Sequence, residues 1–183
     1  MISPNEYIQL KAFARQDGFY LGVIWTIMFA FFVGSMHNAA FQAGYVVIAI
    51  ATPFILYVFL KHYRDRILSG GISFRRAFAF TAFIMAYASI ILAAATLIYF
   101  YFLDNGTFLS ALKQSLATPE VRQLFTDAGA DMSEIDRQVA QMSNVRPIDM
   151  AISTFSNCII LSLPLSLLLA LMGRKALKVK SEK

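Results

Sequence analysis

The sequence predicts an all-α, polytopic membrane protein. It has four transmembrane helices, N-in/C-in, with short amphipathic helices in the external loop between spans three and four. Three observations carry this. The 183 residues are 58% apolar and 15% charged, with a mean hydropathy of +0.60, against roughly 45–50% and about 25% in soluble domains. Four stretches stay apolar for the ~20 residues a helix needs to cross a hydrocarbon core. Basic residues gather in alternate connections. The composition excludes a disulfide scaffold, since Cys158 is the sole cysteine, and 17 Phe with 8 Tyr argue against long disorder.

The spans of this single domain, 1–183, lie at about 18–36, 39–60, 77–103 and 150–172. They are apolar on every face, whereas barrel strands alternate, and a helix satisfies its own backbone hydrogen bonds in lipid. The third span exceeds the bilayer's requirement, so it tilts or projects. The first lacks a small-x-small cleavage site followed by a polar mature chain and reads as a retained helix.

Lys11 and Arg15 precede span one. Lys61, Arg64, Arg66, Arg75 and Arg76 occupy the 61–76 loop, and Arg174, Lys175, Lys178, Lys180 and Lys183 follow span four. In segment 104–149, Lys113, Arg122, Arg137 and Arg146 are outnumbered by Asp104, Glu120, Asp127, Asp131, Glu134, Asp136 and Asp149. The positive-inside rule therefore puts both termini and the 61–76 loop in the cytoplasm and 104–149 outside. Ser35–Asn38 becomes a tight external turn.

Ser3-Pro4-Asn5-Glu6 is a helix start with a cap, an N1 proline and a capping-box acid. Tyr7, Leu10 and Ala14 then share a face, which fits a surface helix or a straight extension of span one. Gly70-Gly71 breaks the chain, and Ser73 can cap the third span. Arg75 and Arg76 fall in that span's first turn, where cations oppose the helix dipole. They call for an anion, and lipid phosphate is the expected one.

The external segment carries helical spacing three times. Phe108, Leu109, Leu112 and Leu116 form the first stripe. Thr118-Pro119-Glu120 restarts a helix with Val121, Leu124, Phe125 and Ala128, which Gly129 ends. Ser133 opens a third with Ile135, Val139 and Met142, and Pro147 closes the region. Each is too short to stand alone in water, so they pack on each other, on the bilayer or on a partner. Asn105-Gly106-Thr107 matches a glycosylation sequon and a turn, and the turn reading is preferred.

Small residues stripe three spans. Gly18, Gly22, Thr26, Ala30 and Gly34 recur every four residues in the first. Ala79, Ala82, Ala86, Ser89, Ala93 and Thr96 recur at alternating three and four in the third, and Thr154, Cys158, Ser162, Ser166 and Ala170 every four in the fourth. Such stripes let helix backbones approach. They hold the bundle together, and the first is also the candidate face for a different protein. Kinks are expected at Pro53 and Pro164. Phe19 and Tyr20, and Tyr99 to Phe102, read as interface belts.

Little in the sequence carries chemistry. No charge falls inside a span as drawn, so no proton relay is evident, and no Gly-rich phosphate loop is present. His37 and His62 lie on opposite sides of the membrane, Cys158 reads as a structural thiol, and the acids at 127–136 lack calcium-loop spacing. No enzyme activity, catalytic residue, metal site, cofactor or nucleic-acid partner is expected. Asn157 is expected to hydrogen-bond across the bundle or touch a ligand. The cluster Lys61, His62, Arg64, Arg66, Arg75 and Arg76 fits the positive-inside rule alone. It also fits a seat for a phosphate-bearing lipid or an acidic partner.

Gly71-Ile72-Ser73-Phe74-Arg75-Arg76-Ala77-Phe78 after a basic loop, the paired spans, and an acidic helical loop before the last span resemble a family. It consists of small four-span membrane proteins of unknown function, found mainly in Bacteroidota, and the resemblance covers nearly the whole chain. It implies the bacterial inner membrane and supplies no catalytic residues. The function expected is a non-enzymatic accessory or assembly subunit of an inner-membrane complex, docking through a small-residue helix face and the external helices. A small transporter or channel component working as an oligomer is the alternative, as is a polyprenyl-phosphate or phospholipid-binding protein. The partners expected are anionic membrane lipids and a membrane protein or a second copy.

Overall fold

In the computed structural model, residues 4–174 are described. Ser3 of the predicted helix start, and Lys175, Lys178, Lys180 and Lys183, lie outside them. The unbroken apolar runs become long helices: α1 (Pro4–Ser35), α2 (Ala40–His62) and α3 (Phe74–Phe102). Three short helices follow, α4 (Thr107–Ala117), α5 (Pro119–Asp127) and α6 (Met132–Gln141), and then α7 (Pro147–Gly173). The fold is all-α, and α1, α2, α3 and α7 are each long and apolar enough to cross a membrane.

Two boundaries differ from the sequence reading. Helix α1 runs unbroken from Pro4, and Leu10 and Ala14 are fully buried, so its first turns extend the span and join the core. The predicted 61–76 loop is largely helical. Helix α2 continues to His62 and then widens into a π-helical turn over Tyr63–Ile67. No breaker intervenes before Ser69 and Gly70, which take left-handed φ of 56° and 95° and turn the chain.

Helix α3 is the centre of the bundle and packs most extensively on α7 and α1, while α2 lies mainly along α1. The small-residue stripes make these contacts. A Cβ on Gly18 would sit 2.6 Å from Tyr87 Cβ and 2.8 Å from the Ile84 carbonyl oxygen, and one on Gly22 would meet Ile91 at 2.7 Å. Ser162, Ser166 and Ala170 are buried on α7. The first stripe does not stay on one neighbour, because four residues advance a helix by about 40° beyond a full turn. Gly18 and Gly22 face α3, Gly34 faces Phe41 of α2, and Ala30 is exposed. Its glycines are used inside the bundle.

In the apolar interior, polar groups bond locally or in pairs, with the Ser166 hydroxyl an exception. Trp25 Nε1 donates to Thr52 Oγ1 at 3.2 Å, joining α1 to α2, and Thr52 in turn donates to the Ile48 carbonyl at 3.0 Å. Helices α2 and α7 run through Pro53 and Pro164 without a break.

At the bundle end opposite the π-turn, Tyr99 donates to Asp104 Oδ1 at 3.1 Å, and the same oxygen accepts from Phe108 N at 2.8 Å. That carboxylate ties the end of α3 to the start of α4, across the turn formed by Asn105 and Gly106. Tyr99 and Phe108 also pack with Phe29, Phe32 and Phe100, so part of the predicted aromatic belt is internal, whereas Tyr101 and Phe102 are exposed. Helices α4, α5 and α6 pack on each other. Arg122 of α5 forks onto Asp136 of α6 at 3.3 and 2.9 Å. Asp131 caps α6, two residues before the predicted Ser133.

Candidate functional site

The basic cluster becomes a three-dimensional site where α1 begins, α2 ends, α3 begins and α7 ends. Its centre is Tyr63. The π-turn gives one extra residue per turn, which brings both Tyr63 and its neighbour Arg64 into the interior, 1% and 9% exposed. The Tyr63 ring stacks on Phe80 with centroids 4.1 Å apart and planes 10° from parallel.

Arg76 reaches across this stack. Nη1 donates to Glu6 Oε1 at 3.0 Å, while Nη2 donates to Tyr63 Oη at 3.2 Å and Gln9 Oε1 at 3.4 Å. Its side chain is 12% exposed. The anion that Arg76 requires is thus Glu6, an acid in the first turn of α1, and not lipid phosphate. Two helix N-termini meet here, and one carboxylate serves both.

Arg64 is also consumed internally. Nε and Nη2 fork onto Asp65 at 2.7 and 3.0 Å, and Nη1 donates to the Gly173 carbonyl at 3.0 Å. That last bond satisfies a free carbonyl at the C-terminus of α7, the negative end of its dipole. Arg64 therefore locks α2 to α7.

The remaining predicted residues, Lys61, Arg66 and Arg75, are exposed, and none makes an ion pair among the described residues. Arg75 stands at an open cleft of about 1040 Å³ with Glu6, Leu68, Ile72, Ser73 and Arg76 in its lining. Ser73 caps α3, its Oγ accepting from Arg76 N at 3.4 Å. The cleft combines a free guanidinium, a hydroxyl and apolar walls, which suits a charged group carrying a hydrocarbon chain.

Sequence reasoning missed Glu6, Tyr63 and Asp17 here. Glu6 was legible only as a local cap, and Tyr63 as one of eight tyrosines. Asp17 stands one residue before the drawn span. It is half-buried on α1 with the His62 imidazole of α2 as its neighbour. Its signal is the acid itself, at the mouth of an apolar run.

The other predicted positions are dispersed. Thr26 donates to the Gly22 carbonyl at 2.9 Å. Cys158 is partly buried against the core. Asn157 faces outward and makes no hydrogen bond across the bundle. Among the described residues no three His, Cys, Asp or Glu side chains gather as a metal site.

No curated protein and no solved structure matches the chain. One family model does, over residues 16–175, which takes in α2, α3, α7, the π-turn and α1 from Gln16 onward. The four apolar helices make this a multi-pass membrane protein, and on that match the chain belongs to the family described as protein of unknown function (DUF4199).

Proposed function

We propose that this chain is a non-enzymatic accessory or assembly subunit of a bacterial inner-membrane complex, with both termini and the π-turn on the cytoplasmic side. The asymmetry of basic residues supports that orientation. The observation that carries the docking role is the α4–α6 layer. No residue of α5 or α6 is buried, and Leu124 and Phe125 are 69% and 41% exposed. Short helices without a core of their own gain stability from what they cover or from what covers them. A partner seated on Leu124 and Phe125 supplies that missing core.

The test is purification of tagged protein from its native membrane in mild detergent, with native mass measurement, beside a Leu124→Ser/Phe125→Ser variant. A stoichiometric partner that is lost in the variant, while the thermal midpoint stays the same, supports the reading. Recovery of this chain alone from the unmodified protein sinks it.

A second reading rests on the cleft at Arg75: a phosphate-bearing lipid held at the cytoplasmic surface. Alanine at Arg75 removes a free charge without touching the Glu6–Arg76 pair. Co-purified anionic lipid is expected to fall several-fold in Arg75→Ala, and unchanged lipid retention abandons this reading.

A further inference from the structure

The outer face of α7 holds polar chemistry at a depth where none is explained by the bundle. Helix α7 has 27 residues, and Asn157 stands about 15 Å from its start, well inside a ~30 Å hydrocarbon layer. Its carboxamide is exposed and makes no hydrogen bond to any described residue. Ser153, one turn away on the same face, is exposed too. On the next turn Pro164 has no N–H, so the Ile160 carbonyl loses its ordinary helical donor. Ile160 itself is 64% exposed. Unpaired amide donors on the exposed face and a carbonyl without its i+4 donor therefore lie one turn apart, at a depth where an unmet polar group is costly.

The exposed face of α7 is broad, and Ile152, Ser156, Leu161, Leu163, Leu168 and Met172 also belong to it. Within it, Asn157 lies on a row with Ser153, Ile160, Pro164, Leu167 and Leu171, separated by alternating four and three residues. That spacing is the seam of a left-handed helix pair. Helix α7 has a second seam, through Ser162, Ser166, Leu169 and Ala170, already occupied by the bundle.

We propose that the outer seam of α7 joins two copies of this chain into a parallel dimer, with Asn157 at the contact. The occupant follows from chemistry and from the membrane. A carboxamide carries both donors and an acceptor, so it is complementary to itself. Copies inserted in one orientation can form a closed pair only about an axis along the membrane normal. Such an axis sets each residue against its own counterpart at equal depth. Asn157 then faces Asn157 of the second copy, within a turn of that copy's orphaned Ile160 carbonyl. A carboxamide in a largely apolar seam also fixes register.

The experiment uses full-length protein in its native membrane, with Cys158→Ser as background. Ile160→Cys is oxidised with copper phenanthroline, and the disulfide-linked dimer is measured. A dominant dimer is expected, far above that from Val47→Cys, which is equally lipid-facing on α2. Adding Asn157→Leu is expected to weaken association about 3- to 30-fold, the worth of an interhelical hydrogen bond in a bilayer, and Asn157→Gln to retain most of it. The thermal midpoint of the dissociated Asn157→Leu protein reports whether the fold survives. Ser153→Trp, which blocks the seam without touching Asn157, is a second route to the same loss. The proposal is overturned by an Ile160→Cys dimer no stronger than that of Val47→Cys, by a dimer indifferent to both Asn157→Leu and Ser153→Trp, or by capture of a different polypeptide with no dimer.

Discussion

Arg76 of α3 and Glu6 of α1 meet at 3.0 Å, 70 residues apart in the chain. Their contact turns an unfavourable feature of one helix into a joint between two. Arg76 sits in the first turn of α3, where its charge opposes the dipole, and Glu6 sits in the first turn of α1, where an acid is favoured.

Removing this joint is expected to loosen the whole basic end. Arg76→Ala deletes the bonds to Glu6, Gln9 and Tyr63 from a largely buried site, at an expected cost of about 1–3 kcal/mol. Arg76→Lys retains part, since an ammonium cannot span the same fork. Thermal unfolding in detergent checks this. A midpoint in Arg76→Ala equal to the unmodified protein's defeats the account.

Gly18 and Ala30 belong to one sequence stripe but should respond oppositely to added bulk. A Cβ at Gly18 would meet backbone, the Ile84 oxygen, at 2.8 Å, so Gly18→Ala forces α1 and α3 apart and costs roughly 1–3 kcal/mol. Ala30 is exposed, and Ala30→Leu is expected to stay within about 0.5 kcal/mol. Equal midpoints for the two variants would contradict the helix contact described.

Ser166 is fully buried, and its hydroxyl has no hydrogen-bond partner among the described residues. Replacing it by alanine keeps the close approach of α7 to α3 and removes an unsatisfied polar group. Ser166→Ala is therefore expected to be neutral or to stabilise by up to about 1 kcal/mol. A clear loss of stability would mean the hydroxyl has a partner after all.

Asp131 lies between α5 and α6, away from the spans. The Ser133 hydroxyl and N–H donate to its carboxylate at 2.7 and 2.8 Å, which holds its pKa below the ordinary 3.8. A depressed folded value means the stabilisation is complete above the unfolded value and disappears as pH falls through the folded one. The start of α6 should therefore fray in acid, below pH 3.8. Asp131→Asn should remove that dependence, as read from the Ser133 amide resonance. Identical acid profiles for the two proteins would refute it.

The sequence by itself determined the helical class, the four long apolar elements, the turn at Asn105-Gly106 and the amphipathic character of the segment between spans three and four. Those features follow from run length, composition and local spacing, which need no neighbour. It also contained every residue of the basic cluster, but not its division of labour. Arg64, Arg66, Arg75 and Arg76 are equivalent as letters. Only the tertiary structure decided that Arg64 caps α7 and Arg76 pairs with Glu6, while Arg66 and Arg75 stay exposed. It likewise decided that Gly18 is a packing residue and Ala30 is not, and that Asn157 looks away from its own bundle. The physical reason is the same in each case. A helix made for lipid is apolar all round, so its composition does not mark which face meets protein, and side-chain charges find their partners across distances in sequence that local patterns do not encode.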